Sequence, residues 1–142
     1  MRFAAALLLL AACATAPPPL PPPPERLAGC WIDRREDGAV VTMRWLPERG
    51  RPNVLEGQWL EYRRDSADQR RARYTLETRT DHYVMCSHWQ EQPICWKVAE
   101  GQGGSLEGGR VFIDAGEETL RVSVLSDGLE DVVFEGQRDG CD

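Results

Sequence analysis

Lysine is almost missing from this 142-residue chain: Lys97 stands alone among basic side chains that are otherwise arginine. Basic residues are also the minority, 17 against 23 acidic, for a net charge of −6. That balance makes an exported chain a poor binder of nucleic acid, which is not expected as a partner, because affinity there rests mainly on neutralising phosphates. Long apolar runs are missing too. The longest, Phe3 to Ala12, spans ten residues, whereas a helix needs about 20 to cross a bilayer. After residue 27 no stretch places apolar side chains at i, i+3, i+4 and i+7, so helices are not expected in the body of the chain. Local catalytic signatures are absent as well. There is no strand–turn–helix nucleophile elbow, no glycine loop opening a helix around phosphate, and no free cysteine beside a histidine. The glycines of "GQGGSLEGG" lie between strand-like runs and read as turn punctuation. The acidic pairs Glu117-Glu118 and Glu130-Asp131 fall at turn edges. The chain is therefore expected to be neither an enzyme nor a carrier of a cofactor or metal.

What is present begins with an export signal. Arg2 supplies a short positive region, and Phe3 to Ala12 has the length of a signal-peptide apolar core. Leu10-Ala11-Ala12-Cys13 then resembles the lipobox of bacterial lipoproteins. The resemblance implies removal of residues 1–12, a diacylglyceryl group on the Cys13 thiol and acylation of its freed amine. Each buried CH₂ adds about 0.8 kcal/mol to such an anchor, so two or more chains hold firmly. Ala14 stands where, in that family, an Asp retains the protein in the inner membrane, which implies the periplasmic face of the outer membrane. The alternative is an ordinary cleavable signal ending near residues 14–16, with Cys13 lost. Seven prolines between Pro17 and Pro24 follow. Within a linker over residues 13–26 that starts at the lipidated cysteine, they predict a polyproline II spacer from Pro17 to Pro24, rising about 3.1 Å per residue, rather than a helix or a central strand. A ligand for SH3-type grooves is the other reading of such a tract.

Residues 27–142 form one predicted domain. Its four cysteines, in an exported chain, read as two disulfides, and four cysteines allow three connectivities. In "CSHWQEQPIC" a hairpin centred between Gln90 and Glu91 sets Cys86 opposite Cys95, within disulfide reach. That leaves Cys30–Cys141, which joins the two ends of the domain. Apolar residues alternate with polar ones throughout. Val41, Met43 and Trp45 share one face, and Asp127-Gly128 between alternating runs is a strong hairpin signal. The expected fold is all-β, an antiparallel up-and-down meander of eight or nine strands. Closing such a meander into a small barrel removes its exposed edges.

"LAGCW" at residues 27–31 resembles the opening Gly-x-Trp signature of lipocalins, and Trp45-Leu46-Pro47 resembles a segment of bacterial lipocalin-like domains. The resemblance implies a lipocalin-like barrel in which Trp31, entered through Gly29, plugs one end and Arg138 packs across it. It also implies a small apolar or amphipathic molecule held at the barrel mouth, with Trp45, Trp59 and Trp96 as candidate lining. Core filling is the competing role for these tryptophans. A protein-interaction role, as a protease inhibitor or assembly accessory, is the main alternative to ligand binding.

Two further clusters stand out. Arg63, Arg64, Arg70, Arg71 and Arg73 concentrate positive charge on an acidic chain. They read either as a site for anionic envelope molecules or as a hairpin tip balanced by Asp65 and Asp68. His82, Cys86 and His88 share strand parity beside Asp81, which would suit a zinc site or a hydrolytic face if the Cys86 thiol were free. The disulfide reading leaves that face without its thiolate.

Overall fold

The computed structural model describes residues 21–99 and 109–141. It is an all-β closed barrel of nine strands in chain order: β1 (Gly29–Arg34), β2 (Ala39–Glu48), β3 (Arg51–Arg63), β4 (Gln69–Thr78), β5 (Tyr83–Ser87), β6 (Ile94–Val98), β7 (Arg110–Ala115), β8 (Thr119–Ser126) and β9 (Leu129–Asp139). A single helical turn, α1 (Pro23–Leu27), precedes them. Cys13 and the start of the proline tract lie outside the described residues.

Every neighbouring pair is antiparallel except β6–β7, which is parallel. This corrects the expectation of a wholly antiparallel ring. An odd number of strands cannot alternate direction all the way round, so nine strands require one parallel step. Because that step falls at β6–β7, β1 and β9 meet antiparallel, with Cys30 opposite Asp139 and Trp31 opposite Arg138. Turn chemistry fits the hairpins. Asp127 and Gly128 both take positive φ, 51° and 79°, the conformation a two-residue primed turn demands.

Strand parity decides what faces inward. Val41, Met43 and Trp45 of β2 are completely shielded from solvent. They join Trp31, Leu76, Met85, Val111, Leu120, Val122 and Phe134 in one continuous core. Trp45 lies flat over Gly57, its register partner on β3. A Cβ at Gly57 would come within 2.7 Å of the indole ring, so the glycine makes room for the largest side chain in the barrel. Large and small residues on facing strands thus interdigitate, as close packing requires.

The start of β1 defines the lower end of the barrel, and there a second correction applies. Pro23 and Pro24, expected in an extended spacer, open α1. Proline is tolerated in the first turn of a helix because its missing N–H would have no partner there. Leu27 closes the turn with 0% exposure, and Arg26 Nη1 donates to the Ile113 carbonyl on β7 at 3.4 Å. In the ring β1 and β7 are separated by β8 and β9. A turn that feeds β1 and touches β7 therefore lies across the lower mouth.

Candidate functional site

The lower end is built around Trp31. Its Nε1 donates to the Leu27 carbonyl at 2.9 Å, and the Arg138 guanidinium carbon stands 4.1 Å from the ring centroid. Arg138 is fixed in turn by donating Nε to the Glu117 carbonyl at 2.9 Å and Nη1 to the Ala28 carbonyl at 3.4 Å. Gly29 has φ of 120°, and a Cβ there would approach Arg138 Nη1 to 2.9 Å. Gly29, Trp31 and Arg138, singled out 109 positions apart at the extremes, are brought into one cluster. Cys30–Cys141 clamps the same corner, with Cα atoms 5.3 Å apart.

The upper end carries the β1–β2, β3–β4, β5–β6 and β8–β9 connections. The arginines of the basic cluster separate here by parity. Arg63 turns to the rim, where Nη2 meets Asp37 Oδ2 at 2.6 Å and Nη1 donates to the Asp37 carbonyl at 2.8 Å. The Ala39 N–H that Asp37 accepts, with help from Arg63, holds that carboxyl below the usual carboxylate range. Arg70 faces Glu61 at 3.9 Å, and Glu61 also takes Arg35 at 3.3 Å. Arg64 occupies the β3–β4 tip. Arg71 and Arg73 project instead from the outer wall, in line with Arg44 through Gln58 on β3. The five residues are therefore not one site. Arg44, the member brought in from β2, could have been found only by knowing the β2–β3–β4 register.

Cys86 and Cys95 are register partners with Cα atoms 4.0 Å apart, and they are disulfide-bonded. That bond pins the β5–β6 connection. Trp89 on this connection is 52% exposed, and its ring meets the Trp59 ring edge-on at 6.3 Å. Neighbouring His88 is anchored twice, by its N–H to the Arg73 carbonyl at 2.8 Å and by Nε2 to Thr75 Oγ1 at 2.9 Å. Ile94 and Leu129 are also exposed at this end.

The histidines do not converge. His82 precedes β5 and pairs with Asp81 at 2.6 Å, a contact that lowers the Asp81 pKa. His88 follows β5, six residues on, roughly 20 Å along a strand. With Cys86 in a disulfide, the shared face has no free thiolate. Among the described residues no three His, Cys, Asp or Glu side chains are grouped to hold a metal.

The candidate lining tryptophans differ in depth. Trp45 is fully buried in the core, while Trp59 and Trp96 are partly buried against it. The Nε1 atoms of Trp45 and Trp59 are buried without a hydrogen-bond partner among the described residues. Tyr74, beside Trp45 at 6.4 Å between ring centroids, has its hydroxyl pKa raised by burial, with Ser87 as its side-chain partner. A groove of about 720 Å³ lies on the flank between β1, β7, β8 and β9 and is bordered by Asp33, Arg34, Asp114, Arg121 and Glu135. Its lining includes none of the three tryptophans. Comparison with protein-family models, with curated proteins and with solved structures gave no match.

Proposed function

We propose that this chain is a lipid-anchored protein of the bacterial cell envelope whose barrel binds another envelope protein through its upper rim. The lipobox-like Leu10-Ala11-Ala12-Cys13 and the proline tract support the anchor. Because α1 lies across the lower mouth, a linker leading into α1 approaches that end and leaves the upper rim distal. The observation that carries the binding role is Trp89. It is half exposed, yet held by Trp59 and by a disulfide-clamped hairpin, beside an interior filled with side chains. Ordering an exposed aromatic before a partner arrives lowers the entropic cost of association, and tryptophan is the residue most enriched among binding hot spots.

A second reading is favoured by one specific observation. The Trp59 Nε1 is a buried donor without a partner among the described residues, and an amphipathic small molecule at the rim would satisfy it with an oxygen acceptor. Titrating the purified chain with an apolar environment-sensitive dye separates the two readings. The protein-binding reading expects no saturable complex. A one-to-one complex abolished by Trp59→Ala would overturn it in favour of a small ligand. The anchor is tested separately: Cys13→Ala should leave membranes for the soluble fraction, and a variant that still sediments with them refutes lipidation at that position.

A further inference from the structure

Arg44, Gln58 and Arg73 form one register row across β2, β3 and β4, and Arg71 lies two residues from Arg73 on the same outer face. Strand spacing of about 4.8 Å puts the backbones of Arg44 and Arg73 roughly 10 Å apart, with Arg71 about 7 Å along β4 from Arg73. All three arginines are exposed. Among the described residues none of the three forms an ion pair, whereas Arg35, Arg51, Arg63, Arg70, Arg79 and Arg121 each meet a carboxylate. Arg71 donates to Gln69 Oε1 at 2.9 Å, a neutral partner. The closest carboxylate in register, Glu56, accepts from Gln58 Nε2 at 3.5 Å. A chain with net charge −6 thus turns toward solvent, on one wall, three guanidinium groups that form no ion pair among the described residues. The neighbouring His88 ring is harder to protonate than a free histidine, through burial first and the Arg73 charge second, with Glu48 and Glu56 opposing both.

We propose that this wall binds an extended phosphate-bearing polymer, with Arg44, Arg71 and Arg73 each engaging a separate phosphate and the Gln58 amide between them. Guanidinium forks match phosphate oxygens in charge and geometry. A separation of roughly 7–12 Å between the arginine positions suits phosphates repeated along a chain, since one isolated phosphate would need all three forks to converge. The inference does not depend on the lipid anchor or on the rim.

The test uses the full chain purified in dodecyl maltoside, with linear inorganic polyphosphate as probe. Affinity should fall with salt at a log–log slope near −2, as three phosphate contacts on a flexible strand require at about 0.7 each. Replacing Arg44, Arg71 and Arg73 together by alanine should weaken binding by about tenfold or more, given the strength of charge-assisted hydrogen bonds. Replacing Arg34, Arg49 and Arg110 by alanine makes the same change in net charge elsewhere and should leave affinity near wild type. A lysine triple at the three wall positions should keep the salt slope but bind more weakly. Excess orthophosphate at constant ionic strength should not displace the polymer. Absence of binding by the wild type, or equal losses in the two alanine triples, overturns the proposal. So does a dependence on the wall arginines seen with anionic phospholipid vesicles and not with polyphosphate, which would make the wall a membrane-facing surface.

Discussion

Between β1 and β9 the ring is closed by chain segments more than a hundred residues apart, while between β6 and β7 it is closed by segments that nearly follow one another. The first closure pairs Cys30, Trp31 and Ile32 with Asp139, Arg138 and Gln137. The second pairs only Lys97 and Val98 with Arg110 and Val111. Loop-closure entropy grows with the logarithm of separation, so joining residues 30 and 139 costs about 2 kcal/mol more than joining 97 and 110. The structure answers that difference where it is largest. The distant closure carries the Cys30–Cys141 bond, the Trp31–Arg138 stack and the cover of Leu27. At the local closure the Lys97 N–H donates to the Gly109 carbonyl at 3.3 Å and the Ala99 N–H to the Val111 carbonyl at 2.8 Å. No described covalent bond crosses it; the second disulfide sits one strand back, within the β5–β6 hairpin. Covalent reinforcement follows the entropy of the unfolded chain rather than the weakness of the local pairing.

Removing each disulfide in turn is the strongest way to break this comparison. The bonds span 111 and 9 residues, for which chain entropy gives about 5 and about 2.5 kcal/mol. Urea unfolding of Cys30→Ser with Cys141→Ser should therefore show roughly twice the loss seen for Cys86→Ser with Cys95→Ser. Equal losses, or the reverse order, would mean that native strain or residual structure sets the values and that separation does not. Next in size is Leu27→Ala. It leaves a cavity beneath α1 and should cost about 3 kcal/mol, within the usual range for a buried leucine. If α1 covers the distant closure as described, this substitution should also speed reduction of Cys30–Cys141 in mild dithiothreitol while leaving Cys86–Cys95 unchanged.

These two closures also mark the limit of what the residues alone disclose. Cys86 and Cys95 could be paired on paper because a hairpin needs only a turn and a period of two. Cys30–Cys141 then followed by elimination, and the barrel itself from alternation in runs such as Val41, Met43 and Trp45. The parallel β6–β7 step was hidden because a glycine-rich stretch looks the same whether the chain reverses or doubles back. Pro23 and Pro24 were misleading for a related reason. Proline forbids the interior of a helix but suits its first turn, and only burial of Leu27 distinguishes that case from a spacer. The basic cluster fared worst, since neighbouring arginines on a strand point to opposite faces. Parity separates Arg70 from Arg71, and register adds Arg44 from a strand that begins 30 residues before β4.

A smaller effect tests the plug without opening the ring. Trp31→Phe keeps an aromatic face beneath Arg138 but loses the indole N–H, leaving the Leu27 carbonyl without its 2.9 Å donor. An unmatched buried acceptor costs about 1–2 kcal/mol. Urea unfolding should show a loss of at least that size, since phenylalanine also gives up buried indole volume, and a loss near zero would mean that neither the Leu27 bond nor that volume holds the plug.

Acidity sharpens the contrast further, with the smallest expected effect. The β1–β9 closure is held by a disulfide, which does not titrate. Beside the β5–β6 hairpin stands His88, whose pKa is lowered in the folded state by burial and then by Arg73. The unfolded chain therefore binds a proton at this position before the folded chain does. Stability must decline as pH falls through the unfolded value near 6.5, and it levels off only below the folded value. His88→Gln keeps a side chain able to reach Thr75 and removes the titration. Melting temperatures recorded from pH 7.5 to 5 should thus fall more steeply for the wild type than for His88→Gln, by a degree or so at most because the ring is only partly buried. Parallel curves would place the acid response elsewhere and remove His88 from the account of how the hairpin is held.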